Sequence, residues 1–108
     1  MKRGDIIVIA PPAPFGKPRP ALILQAAVLE DNELITVALI SSDPAFFSRA
    51  FRIPIRPTPE NGLKKPSEIV IDNIQTIPVE RVGGLIGEAG PEIMRAVDAS
   101  LRLFFSLP

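Results

Sequence analysis

The sequence predicts a mainly β domain: a strongly bent, barrel-like sheet of about five to seven antiparallel strands with a C-terminal amphipathic helix. Three observations carry this. Short aliphatic and β-branched runs recur through the first two thirds of the chain. Prolines cluster between them. Only the C-terminal segment repeats apolar residues at helical spacing.

The run 5–10 (DIIVIA) predicts the first strand. Pro11, Pro12, Pro14, Pro18 and Pro20 follow; each lacks a ladder donor and breaks helices, so the segment reads as loop and strand edge. The runs 21–28 (ALILQAAV) and 34–41 (LITVALIS) predict the second and third strands, with Asp31-Asn32 as a hairpin turn. In 48–55, Phe51, Ile53 and Ile55 alternate with Arg52 and Pro54, a fourth strand. The run 68–72 (EIVID) predicts a fifth, after an exposed loop 56–66 that turns at Asn61-Gly62.

Residues 78–82 suit one helical turn, ended by Gly83-Gly84, and 85–88 a short strand. Gly90-Pro91-Glu92 opens a helix, with proline at its first position and an acid in its first turn. Ile93, Met94, Val97, Leu101, Phe104 and Phe105 form its apolar face; Arg95, Asp98 and Arg102 take the other. A curled sheet would also hide the edges that such aliphatic strands expose.

A length of 108 residues fits a single domain, 1–108, and 46% hydrophobic residues exclude global disorder. No apolar run approaches the ~20 residues of a membrane span, and the stretch 6–10 is too short for a signal-peptide core. The expected location is the cytoplasm, with no membrane partner. The chain has no cysteine, hence no disulfide and no thiolate nucleophile. It has no histidine, which excludes serine-protease-like triads and histidine-containing zinc sites. No metal and no cofactor is expected. Net charge is zero, but residues 1–66 carry nine basic and six acidic side chains, whereas 67–108 carry three and six. A polyanion could therefore find a basic face.

Several segments, in order, resemble a known family. Lys2-Arg3-Gly4-Asp5-Ile6 resembles the RGD-plus-aliphatic start of the MazF/PemK (Kid) toxins, and Lys17-Pro18-Arg19-Pro20 followed by Ala21-Leu22-Ile23-Leu24 their RP-aliphatic second strand. Ala38-Leu39-Ile40-Ser41-Ser42 sits where the family has an aliphatic strand ending in Thr or Ser. Gly62-Leu63-Lys64-Lys65-Pro66-Ser67 and Ile69 to Ile77 are similar to its GL-x-K-x-S strand and (D/E)QIRTI segment, and residues 87–107 to its terminal helix. The resemblance implies an SH3-like barrel and a homodimer. It implies a sequence-specific endoribonuclease, the toxin of a type II toxin–antitoxin system, that cuts single-stranded RNA without metal. The ends would be a 2′,3′-cyclic phosphate and a 5′-hydroxyl. A cognate antitoxin would cover the groove with a disordered, acidic C-terminal segment.

Arg19 matches the family's catalytic arginine, and a guanidinium fork suits the charge that builds on a phosphate under attack. Ser41 matches its catalytic hydroxyl; Ser42 is the rival, since strand alternation lets only one face the groove. Lys17, Arg49, Arg52, Lys64 and Lys65 are candidate phosphate contacts. Asn73 falls where the family often has a glutamine that touches RNA. Phe15, Phe46 and Phe47 are loop residues that could stack bases or cap the barrel. Asp72 is expected to cap a turn. Two features depart from the family: the loop 11–17 has no acid, and Gln75 replaces an arginine. Two other readings use the same barrel. One is a non-catalytic RNA- or protein-binding module. The other is a gyrase poison of the CcdB type, whose tail needs the tryptophan this chain lacks.

Overall fold

The computed structural model describes residues 1–10, 17–28, 31–44 and 50–108. Six strands form one antiparallel sheet: β1 (Asp5–Ile9), β2 (Arg19–Ile23), β3 (Leu34–Ser41), β4 (Arg52–Ile55), β5 (Ser67–Pro78) and β6 (Val82–Glu88). Their spatial order is β4-β5-β3-β2-β1-β6. One helix, α1 (Pro91–Phe104), follows. Among the described residues no helix is long and apolar enough to cross a membrane.

Strand alternation splits the aliphatic residues between two faces. On one, Ile6, Leu22, Ala38, Ile40, Ile53 and Ile69 are buried with Val97 of α1, and Ile93, Met94 and Leu101 pack against them. On the other, Ile7, Ile9, Ala21, Ile23, Ile35 and Val37 form a second buried cluster. The near-continuous apolar runs of β1 to β3 thus have a physical cause: both faces are covered.

The second strand is shorter than its apolar run suggests. After Ile23 the chain leaves β3: the Leu24 N–H still donates to Thr36, but the next Thr36 N–H donates to the Gln25 side chain instead of a backbone carbonyl. Ala27 then bridges Lys2, and Val28 N–H donates to the Met1 carbonyl. Of the expected turn, Asp31 and Asn32 lie just before β3, and residues 29–30 fall outside the described residues. The fourth strand is confined to Arg52–Ile55. Phe51 does not align with Ile53 and Ile55; its φ of 59° turns it away, and its ring meets Phe104 edge-on at 5.1 Å.

The fifth strand is far longer than the run 68–72. The polar stretch after Asp72 stays in the sheet because Ile74 and Ile77 pair with Ala38 and Ile35 of β3. The register jumps between Leu39↔Val70 and Ala38↔Ile74, so Ile71, Asp72 and Asn73 form a bulge. A 3₁₀ turn at Val79–Arg81 matches the expected helical turn, but Gly83 and Gly84 lie inside β6, where its register against β1 is irregular.

Two contacts close the molecule around this sheet. Arg3 at the N-terminus pairs with Asp98 of α1 and donates to the Leu24 carbonyl. The loop 56–66 closes against β6, where Glu88 N–H donates to the Glu60 carbonyl. Buried Asn61 holds this loop: its Oδ1 accepts from the Thr58 and Leu63 N–H groups, and its Nδ2 donates to the Arg56 carbonyl. Val97 anchors α1, but beyond Leu101 the apolar face runs off the core, leaving Leu103, Phe105 and Leu107 more than half exposed.

Candidate active site

Arg19 opens β2 and Ser41 ends β3. Ala21 pairs with Leu39, and continuing that register by two residues sets Arg19 across from Ser41. Both lie on the sheet face of Leu39 rather than that of Ile40. Ser41 in turn pairs with Glu68, and Glu68 with Pro54. Arg19 is exposed, and Ser41 is half-buried. Pro18 and Pro20 flank Arg19, each with its own φ fixed, and Pro20 biases Arg19 to extended backbone.

Two cavities meet at this pair. The larger, about 610 Å³, has an apolar floor of Val8, Ile40, Leu63 and Ile86 and is rimmed by Lys17, Arg19, Ser41, Ser42, Lys64 and Lys65. The smaller, about 310 Å³, is lined by Arg19, Leu39, Ser41, Arg52, Val70, Asp72 and Asn73. Arg19, Ile40 and Ser41 line both. A single groove therefore passes over the two candidate catalytic side chains.

The sequence candidates converge here. Lys17, Lys64 and Lys65 bring three cations to the larger cavity beside Arg19, against one acid, Asp43. A chain of zero net charge thus sets four of its twelve basic side chains on one cavity. Lys64 and Lys65 are set by the Asn61 hydrogen bonds at the base of their loop. Asn73 lines the smaller cavity. Arg49, Phe15, Phe46 and Phe47 lie outside the described residues.

Two expectations need correcting. Ser41 and Ser42 both line the larger cavity, because Ser42 lies beyond the end of β3, where alternation no longer applies. Ser41 alone also reaches the smaller one, and its Oγ accepts from the Asp43 N–H at 3.2 Å. Asp72 caps no turn: it sits within β5, where Arg52 Nε meets its Oδ1 at 3.0 Å and Arg52 Nη2 its Oδ2 at 3.4 Å. Arg52 is thus tied to a carboxylate, with its side chain only 12% exposed. Asp43, Asp72 and the apolar floor were not singled out from sequence as groove residues. Of the floor residues, Val8, Ile40 and Ile86 were legible as strand residues and Leu63 as part of the loop 56–66.

Among the described residues no group of three or more Asp and Glu side chains is placed to hold a metal ion. Away from the groove, Asp5 is buried beside Lys2. Burial pushes its carboxyl up, but hydrogen bonds from the Lys2 ammonium and N–H, with the Lys2 charge, outweigh this and hold it below the ordinary value.

The model of the PemK-like, MazF-like toxins of type II toxin–antitoxin systems matches residues 2–105. The chain is 32% identical over 108 residues to a probable endoribonuclease MazF of Mycolicibacterium smegmatis, covering 99% of this chain and 98% of that one. It is 30% identical to the solved Mycobacterium tuberculosis toxin MazF-mt6, with a TM-score of 0.78 over 96% of this chain and 98% of that one. The same fold recurs, at 18% identity and a TM-score of 0.79, in a mycobacterial endoribonuclease solved with its cognate antitoxin, over 100% of this chain and 97% of that one. On the match along nearly its whole length, the chain belongs to the PemK-like, MazF-like toxins of type II toxin–antitoxin systems.

Proposed function

We propose that this toxin is a sequence-specific endoribonuclease that cuts single-stranded RNA by attack of a ribose 2′-hydroxyl on its own phosphate. The observation that carries the reading is that Arg19 and Ser41 both line each of the two cavities. The 2′-hydroxyl loses its proton, its oxygen bonds to phosphorus, and the bond to O5′ breaks as O5′ takes a proton. The products are a 2′,3′-cyclic phosphate and a 5′-hydroxyl. Negative charge grows on the non-bridging oxygens, and the Arg19 fork meets two of them while the Ser41 hydroxyl donates to one. Arginine stays protonated in proteins, so Arg19 stabilises charge and does not abstract the proton. Lys17, Lys64 and Lys65 hold neighbouring phosphates, with Ser42 beside them. Asn73 touches a base. In this reading Arg52 meets RNA through the carboxylate it holds, and Arg49 adds a phosphate contact.

The reaction runs without metal or cofactor; the lack of histidine and cysteine supports this. The enzyme works in the cytoplasm as a homodimer, which the exposed apolar end of α1 supports. The cognate antitoxin lays a disordered, acidic C-terminal segment along the lysine-rimmed groove, where complementary charge favours it.

The test is a single-stranded RNA library scored for new 5′-hydroxyl ends, beside a binding isotherm at one salt concentration. The parent cuts; Arg19→Ala loses about 10²–10³ in turnover and much less in affinity, because the lysines still hold ground-state phosphates. Arg19→Lys does not rescue, since an ammonium cannot make the two-point contact. Binding by the parent without any cleavage would establish the non-catalytic reading instead.

A further inference from the structure

The smaller cavity contains a carboxylate where a polyanion is to bind. Asp72 repels phosphate, and its side chain is 37% exposed, so it is not there to fill the core. Its setting is specific. In a regular strand Asp72 and Asn73 would point to opposite faces. The bulge 71–73 breaks that alternation: Ile71 stays in the core, and Asp72 and Asn73 both line the cavity. Bulges re-aim side chains in this way.

Both side chains are held. Arg52 donates from Nε and Nη2 to the two oxygens of Asp72, which fixes the carboxylate plane and offsets its charge. That contact occupies the fork side of both oxygens. The remaining lone pairs diverge, so each serves one donor. Gln75 Nε2 donates to Asn73 Oδ1 at 3.1 Å, which leaves the Asn73 amide as a donor. The cavity therefore offers an acceptor beside a donor, in fixed positions.

We propose that this cavity is a base subsite selecting cytosine or adenine, the bases whose Watson–Crick edge carries an exocyclic amino group next to an unprotonated ring nitrogen. Asp72 accepts from the amino group, and Asn73 donates to the ring nitrogen. Uracil has no amino group. On the Watson–Crick edge of guanine the ring nitrogen beside the amino group, N1, carries a hydrogen and opposes the Asn73 amide; its unprotonated N3 lies on the sugar edge. Gln75 acts through Asn73 as a positioning residue. The inference rests on RNA being the ligand of the groove, as proposed above.

The test uses the full chain and a randomised single-stranded RNA library, read by equilibrium binding selection and separately by cleavage. The parent selects C or A over U and G at one position by about 10–100-fold. In Asp72→Asn, Arg52 claims the amide oxygen and turns the NH₂ toward the cavity. Acceptor becomes donor, and the preference at that position is lost or moves to U and G, while the preference at other positions holds. Gln75→Ala weakens the same preference without reversing it. Three results would overturn the proposal: a parent with no such preference, an unchanged profile in Asp72→Asn, or a uniform loss over all sequences. A parent that selects bases but never cuts would overturn only the enzymatic reading, because the binding selection does not depend on cleavage.

Discussion

Gly87 of β6 lies against Asn61 so closely that a Cβ built on it would sit 2.4 Å from the Asn61 carbonyl carbon. Asn61 anchors the loop that carries Lys64 and Lys65, so this glycine sets the groove wall through that loop. The neighbouring Gly62 has a φ of +70°, and a Cβ there would meet the Ile86 carbonyl oxygen at 2.1 Å.

Gly87→Ala should therefore cost about 1–3 kcal/mol of stability, as overpacking against backbone does. Gly83→Ala is the control: its nearest neighbour, the Val8 carbonyl oxygen, is 3.4 Å away, and it should cost clearly less. Urea titrations of the two variants compare them. Equal midpoints would mean that the loop does not press on β6.

Ser41→Ala should slow RNA cleavage more than Ser42→Ala, because only Ser41 reaches both cavities and faces Arg19 across the sheet. Loss of one oriented donor corresponds to about 10²-fold or more in turnover. Single-turnover rates on one cleavable oligonucleotide decide it, and the reverse ranking would place the reactive phosphate over Ser42.

Lys64→Ala and Lys65→Ala should weaken binding to all sequences alike and flatten its salt dependence. Each lost phosphate contact removes about 0.7 from the slope of log affinity against log salt for single strands. Isotherms at several salt concentrations measure this. A change in sequence preference instead would mean that these lysines touch bases.

Asp5→Ala should destabilise the fold by about 1–3 kcal/mol near neutrality, since the Lys2 N–H loses its acceptor. The Asp5 carboxyl is held below its ordinary value, so its contribution is present above the unfolded pKa and disappears as pH falls through the folded one. The stability gap between parent and variant should accordingly close in acid. A gap independent of pH would show that packing, not charge, is lost.

Cleavage should survive EDTA. Activity that disappears on chelation and returns with Mg²⁺ would defeat the proposed chemistry.

Much of the fold was legible in the sequence because its signals are local. The run 34–41 coincides with β3, and Gly90-Pro91-Glu92 with the start of α1. What was missed depends on distant partners. Residues 73–78 look too polar for a strand, yet β3 holds them by cross-strand pairing. Phe51 reads as core from its alternation with Ile53, but a left-handed backbone sends it to Phe104. The groove was half legible. Arg19, Ser41 and the lysines carry recognisable types in recognisable places. Asp72 does not, because only a bulge, which leaves no mark on hydrophobic periodicity, turns it into the same cavity as Asn73.

The pairing of β1 with β6 joins positions 5 and 88. The first strand made on the ribosome thus waits for nearly the last before it is hydrogen-bonded on both edges, and Arg3 waits longer still for Asp98. Contacts of such long range form late, so folding is slow to begin. The larger cavity, whose floor joins Val8 to Ile86, cannot be complete before β6 is made.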